Sequence, residues 1–289
     1  MSLLSSDIYI PTYRQQSYVN AQSTPSPGTE DVASRLPYNE YATIDWLQDL
    51  VRDSEDRDPA TSYSQGGIRG RVAKLFDSMQ GWIAAFIIGL LTAAVAAVVD
   101  VSVETVADWK EGYCTSNVRL NRRACCSLKQ NCQDWEPWSE SFGSSYLTYV
   151  CFSLAFGIIA SSVTMTTKTT LPPIGSAISN DAQTQPTRPG KTMYMAAGSG
   201  IPEIKTVLSG FVIPHLFDLK VLLVKAFGAT FAVATGMCLG KERPFVHISA
   251  CVGYLVTMRV PKYAANQRKL REMLSVACSI GLSIAFYLV

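Results

Sequence analysis

Charged residues are scarce from residue 81 onward in this 289-residue sequence. Residues 82–99 contain no charged side chain, and neither do residues 146–165. An apolar run of about 18 to 20 residues is long enough to cross the roughly 30 Å hydrocarbon core of a bilayer as a helix. The two runs therefore predict membrane-spanning helices and argue against a soluble protein with two buried helices.

Several chemical features are also missing from the sequence. The chain has two histidines, no metal-ligand constellation and no recognisable nucleophile–base pair, so neither a cofactor nor enzymatic activity is predicted. A net charge of +2 without a basic patch argues against a nucleic-acid partner. The first residues lack the basic region and apolar run of a cleaved signal peptide, so none is expected.

Basic residues ahead of the first apolar run predict its orientation. Arg69, Arg71 and Lys74 place the N-terminus in the cytosol by the positive-inside rule. The loop at about 105–144 would then face the lumen or the outside of the cell, where disulfides are permitted. Its four cysteines allow three pairings, and the adjacency of two of them is poor spacing for a zinc site. They are Cys114, Cys125, Cys126 and Cys132.

The composition divides the chain into an N-terminal region and a membrane domain. Residues 1–80 are expected to be cytosolic and mostly disordered, with short amphipathic helices. Within them, residues 68–80 fit either an interfacial helix or an extension of the first span. Residues 81–289 form the predicted membrane domain, with a flexible cytosolic loop at 166–192. Beyond Gly198 the apolar stretches are short and broken, as in transporter helices that end near the bilayer midplane.

A first motif, GSGIPE at residues 198–203, predicts a helix start that can bind an anion. Pro202 suits the first helical turn, and the two glycines let the backbone turn tightly and approach a ligand. Free N–H groups, the positive end of the helix dipole and the Ser199 hydroxyl together favour an anion. An ordinary loop-to-helix entry is the alternative.

A second motif, GKERPFVH at residues 240–247, repeats this pattern. Glu242 at a helix N-terminus would occupy the place that an inorganic anion also favours, and protonation would release it. It can therefore compete with the anion; a cytosolic loop with three solvated charges is the alternative. Lys225, inside the apolar stretch 221–239, either makes a pore electropositive or extends its ammonium group to the interface.

Together the two motifs resemble signature motifs of the CLC family of chloride channels and chloride/proton exchangers, in the same order and at similar spacing. The second motif normally reads GKEGP or GREGP in that family. The segments YNEYATIDWL and LNRRACC resemble its intracellular branch, the endosomal, vacuolar or Golgi exchangers. The resemblance covers roughly residues 38–289. It implies an all-α integral membrane protein with broken, re-entrant helices, here an incomplete first inverted repeat of the CLC fold.

The resemblance also implies roles for individual residues. The serine matching Ser199 coordinates chloride, and the glutamate matching Glu242 gates the anion path. Lys225 and Lys241 would raise the positive potential of the pore. The other chloride-binding positions lie in the two motifs: Gly198, Gly200, Ile201, Arg243, Pro244, Phe245 and Val246.

Two departures from the family pattern modify this expectation. Arg243 replaces the family glycine, where it would pair with Glu242 or plug the pathway. The sequence also ends before the family's internal proton site, so a truncated chain that is inactive alone is expected. The resemblance implies a voltage-gated chloride channel or chloride/proton antiporter of an intracellular membrane, assembled as a homodimer or heteromer. The alternative is a non-conducting membrane fragment that associates with a full-length CLC subunit and modulates it.

Overall fold

The computed structural model describes residues 42–44, 46–47, 49–51, 54, 67–127, 132, 134–170, 192–240 and 242–287. Its helices are α1 Gly67–Asp108, α2 Arg122–Cys126, α3 Phe142–Met165, α4 Ile201–Leu208, α5 Leu219–Ala234, α6 Glu242–Thr257, α7 Pro261–Ala264 and α8 Gln267–Tyr287. Short antiparallel strands pair as β1 Ala42–Thr43 with β6 Phe211–Val212, β2 Gly112–Cys114 with β3 Trp135–Pro137, and β4 Lys168–Thr170 with β5 Thr192–Tyr194. The predicted disordered tail, Lys241 and most of the predicted cytosolic loop lie outside the described residues.

Three of these helices are long and apolar enough to cross a membrane. They are α1 from Leu75 onward, α3 and α8. The first two contain the charge-free runs of the sequence. The helix α1 continues without a break from Gly67, so residues 68–80 extend the first span rather than forming a separate interfacial helix.

The helices that carry the two motifs are shorter. Helices α5 and α6 have 16 residues each, and α4 has 8. At 1.5 Å per residue they measure about 24 Å and about 12 Å, less than a full crossing. Glycine-containing turns, not extended loops, separate α4 from its neighbours, as Gly198, Gly200 and Gly210 all have positive φ. These short helices have the geometry that the interrupted hydrophobic stretches predicted.

The loop between α1 and α3 is closed by disulfides. Cys114 is bonded to Cys125, and Cys126 is bonded to Cys132. The β2–β3 ladder joins the two halves of this loop, with Cys114 opposite Trp135. We call residues 109–141 the disulfide loop. The two ends of the predicted loop at 166–192 lie side by side, because β4 pairs with β5.

The core forms where α6 packs against α8, with α1 and α5 around them. Small residues allow the close approach of α6 and α8. A Cβ at Gly253 would collide with Ala277, and a Cβ at Gly281 would collide with Ser249. Glycine and alanine at such contacts are typical of helix pairs in membranes, where close van der Waals packing drives association.

A buried arginine of α8 holds the end of α4. Arg271 is 5% exposed, and its guanidinium donates to the carbonyls of Val207 at 2.8 Å and Phe211 at 3.1 Å. Carbonyls at a helix end lack intrahelical partners, so a fixed cation there satisfies both hydrogen bonding and the helix dipole. Strand β1 pairs with β6 at the same place, with Ala42 opposite Val212. The segment before α1 is therefore part of the fold.

We expect Arg271→Met to lower the free energy of unfolding by about 3 kcal/mol, because several charge-assisted hydrogen bonds are lost from a buried site. Thermal unfolding in detergent measures the change. Arg268→Met on the same helix is the matched control: its exposed ion pair with Glu272 should contribute less than about 1 kcal/mol. Equal effects of the two substitutions would show that Arg271 does not hold α4.

Candidate functional site

The turn that enters α4 is held by a buried lysine. Lys225, on α5, is 4% exposed, and its Nζ donates to the carbonyls of Ala196 at 3.0 Å and Gly198 at 2.7 Å. A weaker bond reaches Ala197 at 3.4 Å. The side chain therefore turns inward, and the alternative that it extends to the interface is wrong. Its hydrogen-bond partners are neutral carbonyls, and the Glu203 carboxylate lies close enough to interact electrostatically with the ammonium group.

A threonine holds the other side of this turn. Thr167 is 4% exposed and lies just after α3. Its hydroxyl accepts from the amide of Ala196 at 3.1 Å, and its carbonyl accepts from the amide of Met195 at 3.3 Å. The turn is thus fixed between α3 and α5 before α4 begins.

The start of α4 has the features predicted from GSGIPE. Gly200 caps the helix in the left-handed region at φ +79°, and Pro202 lies in the first turn. The Ser199 oxygen accepts from the amide of Ile201 at 3.3 Å. The hydroxyl hydrogen of Ser199 thereby stays available to donate to a ligand, and the helix dipole at this end favours an anion.

The two motifs meet at Gly200 and His247. A Cβ at Gly200 would collide with the His247 ring, so glycine is required for this approach. His247 is five residues after Glu242, the first residue of α6. At 1.5 Å per residue, α6 therefore contacts the start of α4 about 7.5 Å from its own N-terminus. The N-terminus of α4 therefore lies close to the N-terminus of α6.

His247 is fully inside the protein. It is 1% exposed, and its Nε2 lies 3.1 Å from the Leu216 carbonyl. A carbonyl can only accept, so Nε2 carries a hydrogen and Nδ1 of the neutral ring is an acceptor. Among the described residues, Nδ1 and the Glu203 Oε2 are buried acceptors without a hydrogen-bond partner.

The second motif opens α6 as predicted, since α6 begins at Glu242. Glu242 is half-buried, and its carboxylate folds back against Gly240. Arg243 is exposed and forms no ion pair with Glu242, although both residues are described. Pro244 and Val246 are half-buried, whereas Phe245 is 2% exposed within the core.

The structure thus brings only some of the predicted site residues close together. Ser199, Gly200, Ile201 and Lys225 surround one turn, and Glu242 lies at the start of the adjacent helix. Thr167 and His247 were missed. Nothing in the sequence marked Thr167, but a histidine within an apolar membrane helix was itself a signal. Within the described ranges, no three His, Cys, Asp or Glu side chains come close enough to hold a metal ion.

We expect Gly200→Ala to destabilise the protein much more than Gly198→Ala. Both glycines have positive φ, which costs a larger residue about 1 to 2 kcal/mol. Only at Gly200 would the new methyl group meet another side chain, since nothing lies within 4 Å of that place at Gly198. Thermal unfolding measures both variants. Adding His247→Ala to Gly200→Ala should recover part of the loss, and equal losses at the two glycines would contradict the contact.

The sequence is similar to those of known proteins. The sequence model of the family described as Voltage gated chloride channel matches residues 190–287, which contain both motifs. The chain is 31% identical over 267 residues to H(+)/Cl(-) exchange transporter 3 of Homo sapiens, covering 86% of this chain and 30% of that protein. It is 32% identical over 267 residues to H(+)/Cl(-) exchange transporter 5 of Oryctolagus cuniculus, with the same coverage.

A solved structure shows the same fold. The crystal structure of a eukaryotic CLC transporter superposes with a TM-score of 0.50 at 19% identity, covering 74% of this chain and 32% of that one. The chain spans about 30% of the length of the curated relatives that it matches. The predicted all-α membrane fold with short, broken helices is confirmed, and the chain belongs to the CLC family of chloride channels and chloride/proton exchangers.

Proposed function

We propose that the chain provides part of a chloride pathway and moves chloride across an intracellular membrane, as a voltage-gated channel or a chloride/proton antiporter. The observation that carries this proposal is the contact of Gly200 with His247. It brings the N-terminus of the GSGIPE helix onto the GKERPFVH helix. Two free helix N-termini and a buried ammonium group then lie around one region, which is an arrangement that favours an anion.

Each motif residue has a role in this proposal. Ser199 donates its hydroxyl hydrogen to chloride, with Gly198, Gly200 and Ile201 supplying the backbone around it. Glu242 is the gate, because its carboxylate competes with chloride for the N-terminus of α6. The following residues of that helix, Arg243, Pro244, Phe245 and Val246, contribute backbone groups to an outer site.

Lys225 supplies the fixed positive potential. Its hydrogen-bond partners are neutral carbonyls, so its charge is not cancelled by an ion pair within 4 Å among the described residues. In a region of low dielectric constant such a charge acts over a longer distance than in water. Lys241, which lies outside the described residues, is assigned the same role on its sequence position beside Glu242.

Arg243 leaves the gate free to move. Its side chain is exposed and is not bonded to Glu242, which argues against both a locked gate and a plugged path. The bulk of arginine beside the gate should slow chloride rather than block it. Arg243→Gly should therefore increase transport modestly.

The membrane setting completes the proposal. The N-terminus faces the cytosol and the disulfide loop faces the lumen of an endosomal, vacuolar or Golgi compartment, which is oxidising enough for its two disulfides. The lipid bilayer surrounds α1, α3 and α8. The functional unit is a homodimer or a heteromer with another CLC chain.

Chloride efflux from liposomes that contain the purified chain tests the proposal. Glu242→Ala should raise efflux roughly tenfold, because losing a competitor worth about 1.4 kcal/mol shifts occupancy by that factor. Ser199→Ala should lower efflux and weaken the preference for chloride over larger anions. Glu272→Ala is the matched control, since this exposed glutamate of α8 lies in a surface ion pair.

The outcomes separate the proposal from its alternative. Efflux that ignores both motif substitutions would mean that chloride does not pass the proposed site. No efflux from any variant would favour a non-conducting subunit that modulates a full-length CLC protein. Co-purification with a tagged full-length relative would then be the next measurement.

A further inference from the structure

The segment before Glu242 is fixed by hydrogen bonds at its first residue, Thr235. We call residues 235–240 the gate loop, and all of them except Thr235 are exposed. The Thr235 hydroxyl donates to the Ala232 carbonyl at 2.7 Å and accepts from the amide of Met237 at 3.3 Å. Gly236 follows in the left-handed region at φ +87°. The first turn of the gate loop is therefore fixed by hydrogen bonds, and the residues after Thr235 are exposed.

A buried lysine from another part of the chain lies against this first turn. Lys110 is the second residue of the disulfide loop and is only 7% exposed. Its Nζ donates to the Tyr149 hydroxyl at 3.2 Å and lies 4.6 Å from the centre of the Tyr149 ring. The Nζ and this hydroxyl fill the space beside Gly236, at 3.1 Å and 3.0 Å from where a Cβ would stand.

The location of Lys110 explains how its charge is tolerated. A buried ammonium group is costly without compensation, and no acid forms an ion pair with Lys110 among the described residues. The end of α5 lies next to it, because Gly236 comes two residues after the last helical residue. Carbonyls at a helix C-terminus carry partial negative charge, and the Tyr149 ring adds a cation–π interaction.

The disulfide loop keeps Lys110 in this position. The neighbouring Trp109 donates from its indole to the Val118 carbonyl at 2.9 Å, and its own carbonyl accepts from the Trp138 indole at 2.7 Å. Trp138 in turn packs on Phe152 of α3, with ring centres 5.6 Å apart. The backbone beside Lys110 is thus fixed by the contacts of Trp109, and the Lys110 side chain extends from it towards the gate loop.

We propose that Lys110 is a positioning residue for the gate. It fixes the exit of α5 through Gly236 and Tyr149, and so sets where the gate loop delivers Glu242 to the start of α6. This inference deepens the proposed function and rests on it only for the consequence in transport. The positioning itself is a property of the fold and can be measured without any transport.

Hydrogen–deuterium exchange of the full chain in lipid nanodiscs tests the positioning. In the Lys110→Met variant, amides 235–239 should exchange roughly tenfold faster, because a hydrogen bond from a charged donor contributes enough to change local opening by that factor. Tyr149→Phe removes only the hydroxyl and should give a smaller increase. Lys168→Met, at an exposed lysine of β4, should leave this segment unchanged.

Unchanged exchange of residues 235–239 in both Lys110→Met and Tyr149→Phe would overturn the proposal. Should Lys110→Met fail to fold, Tyr149→Phe alone decides, since it keeps the cation and the ring. A transport readout distinguishes positioning from general damage. Lys110→Met should alter the voltage and pH dependence of chloride efflux in the wild-type background and have no such effect in Glu242→Ala. If no variant transports chloride, the proposed function fails while the exchange result still stands.

Discussion

The contact between the Lys225 ammonium group and the carbonyls of Ala196 and Gly198 is the constraint on which the rest of the site depends. Burying an ammonium group without polar partners would cost several kcal/mol, so the turn and the lysine must form together. Once the turn is formed, Gly200 can begin α4 in a left-handed conformation. That entry sets the direction of α4, and only then does its N-terminus reach α6 at His247.

A common feature links the two ends of α4 and the end of α5. At each place a cation approaches backbone oxygens or a hydroxyl: Lys225 before α4, Arg271 after it, and Lys110 beyond α5. Short helices inside a membrane expose many backbone groups for their length, and lipid offers no hydrogen bonds to satisfy them. Long basic side chains from neighbouring segments lie against these helix ends and complement the partial negative charge there.

Hydropathy and local chemistry predicted much of this fold. The charge-free runs at 82–99 and 146–165 lie in α1 and α3, and Pro202 and Pro244 lie in the first turns of the helices they were expected to open. The inward direction of Lys225 and the burial of His247 could not be read in the same way. Both depend on which helices pack against α5 and α6, and the pattern of residues along the sequence does not show this. The pairing of the cysteines was likewise undecided until the β2–β3 ladder brought the halves of the loop together.

The β1–β6 ladder has a consequence for biosynthesis. Strand β1 is translated before the first membrane span, and its partner β6 is translated after α1 and α3. The two strands can meet only if the chain has crossed the bilayer an even number of times between them. If both α1 and α3 insert into the membrane, β1 and β6 lie on the same side of it. If one of these helices fails to insert, the two strands lie on opposite sides and cannot pair. Pairing of these strands is a late event that reports on both earlier insertions, because long-range contacts form slowly and after local ones.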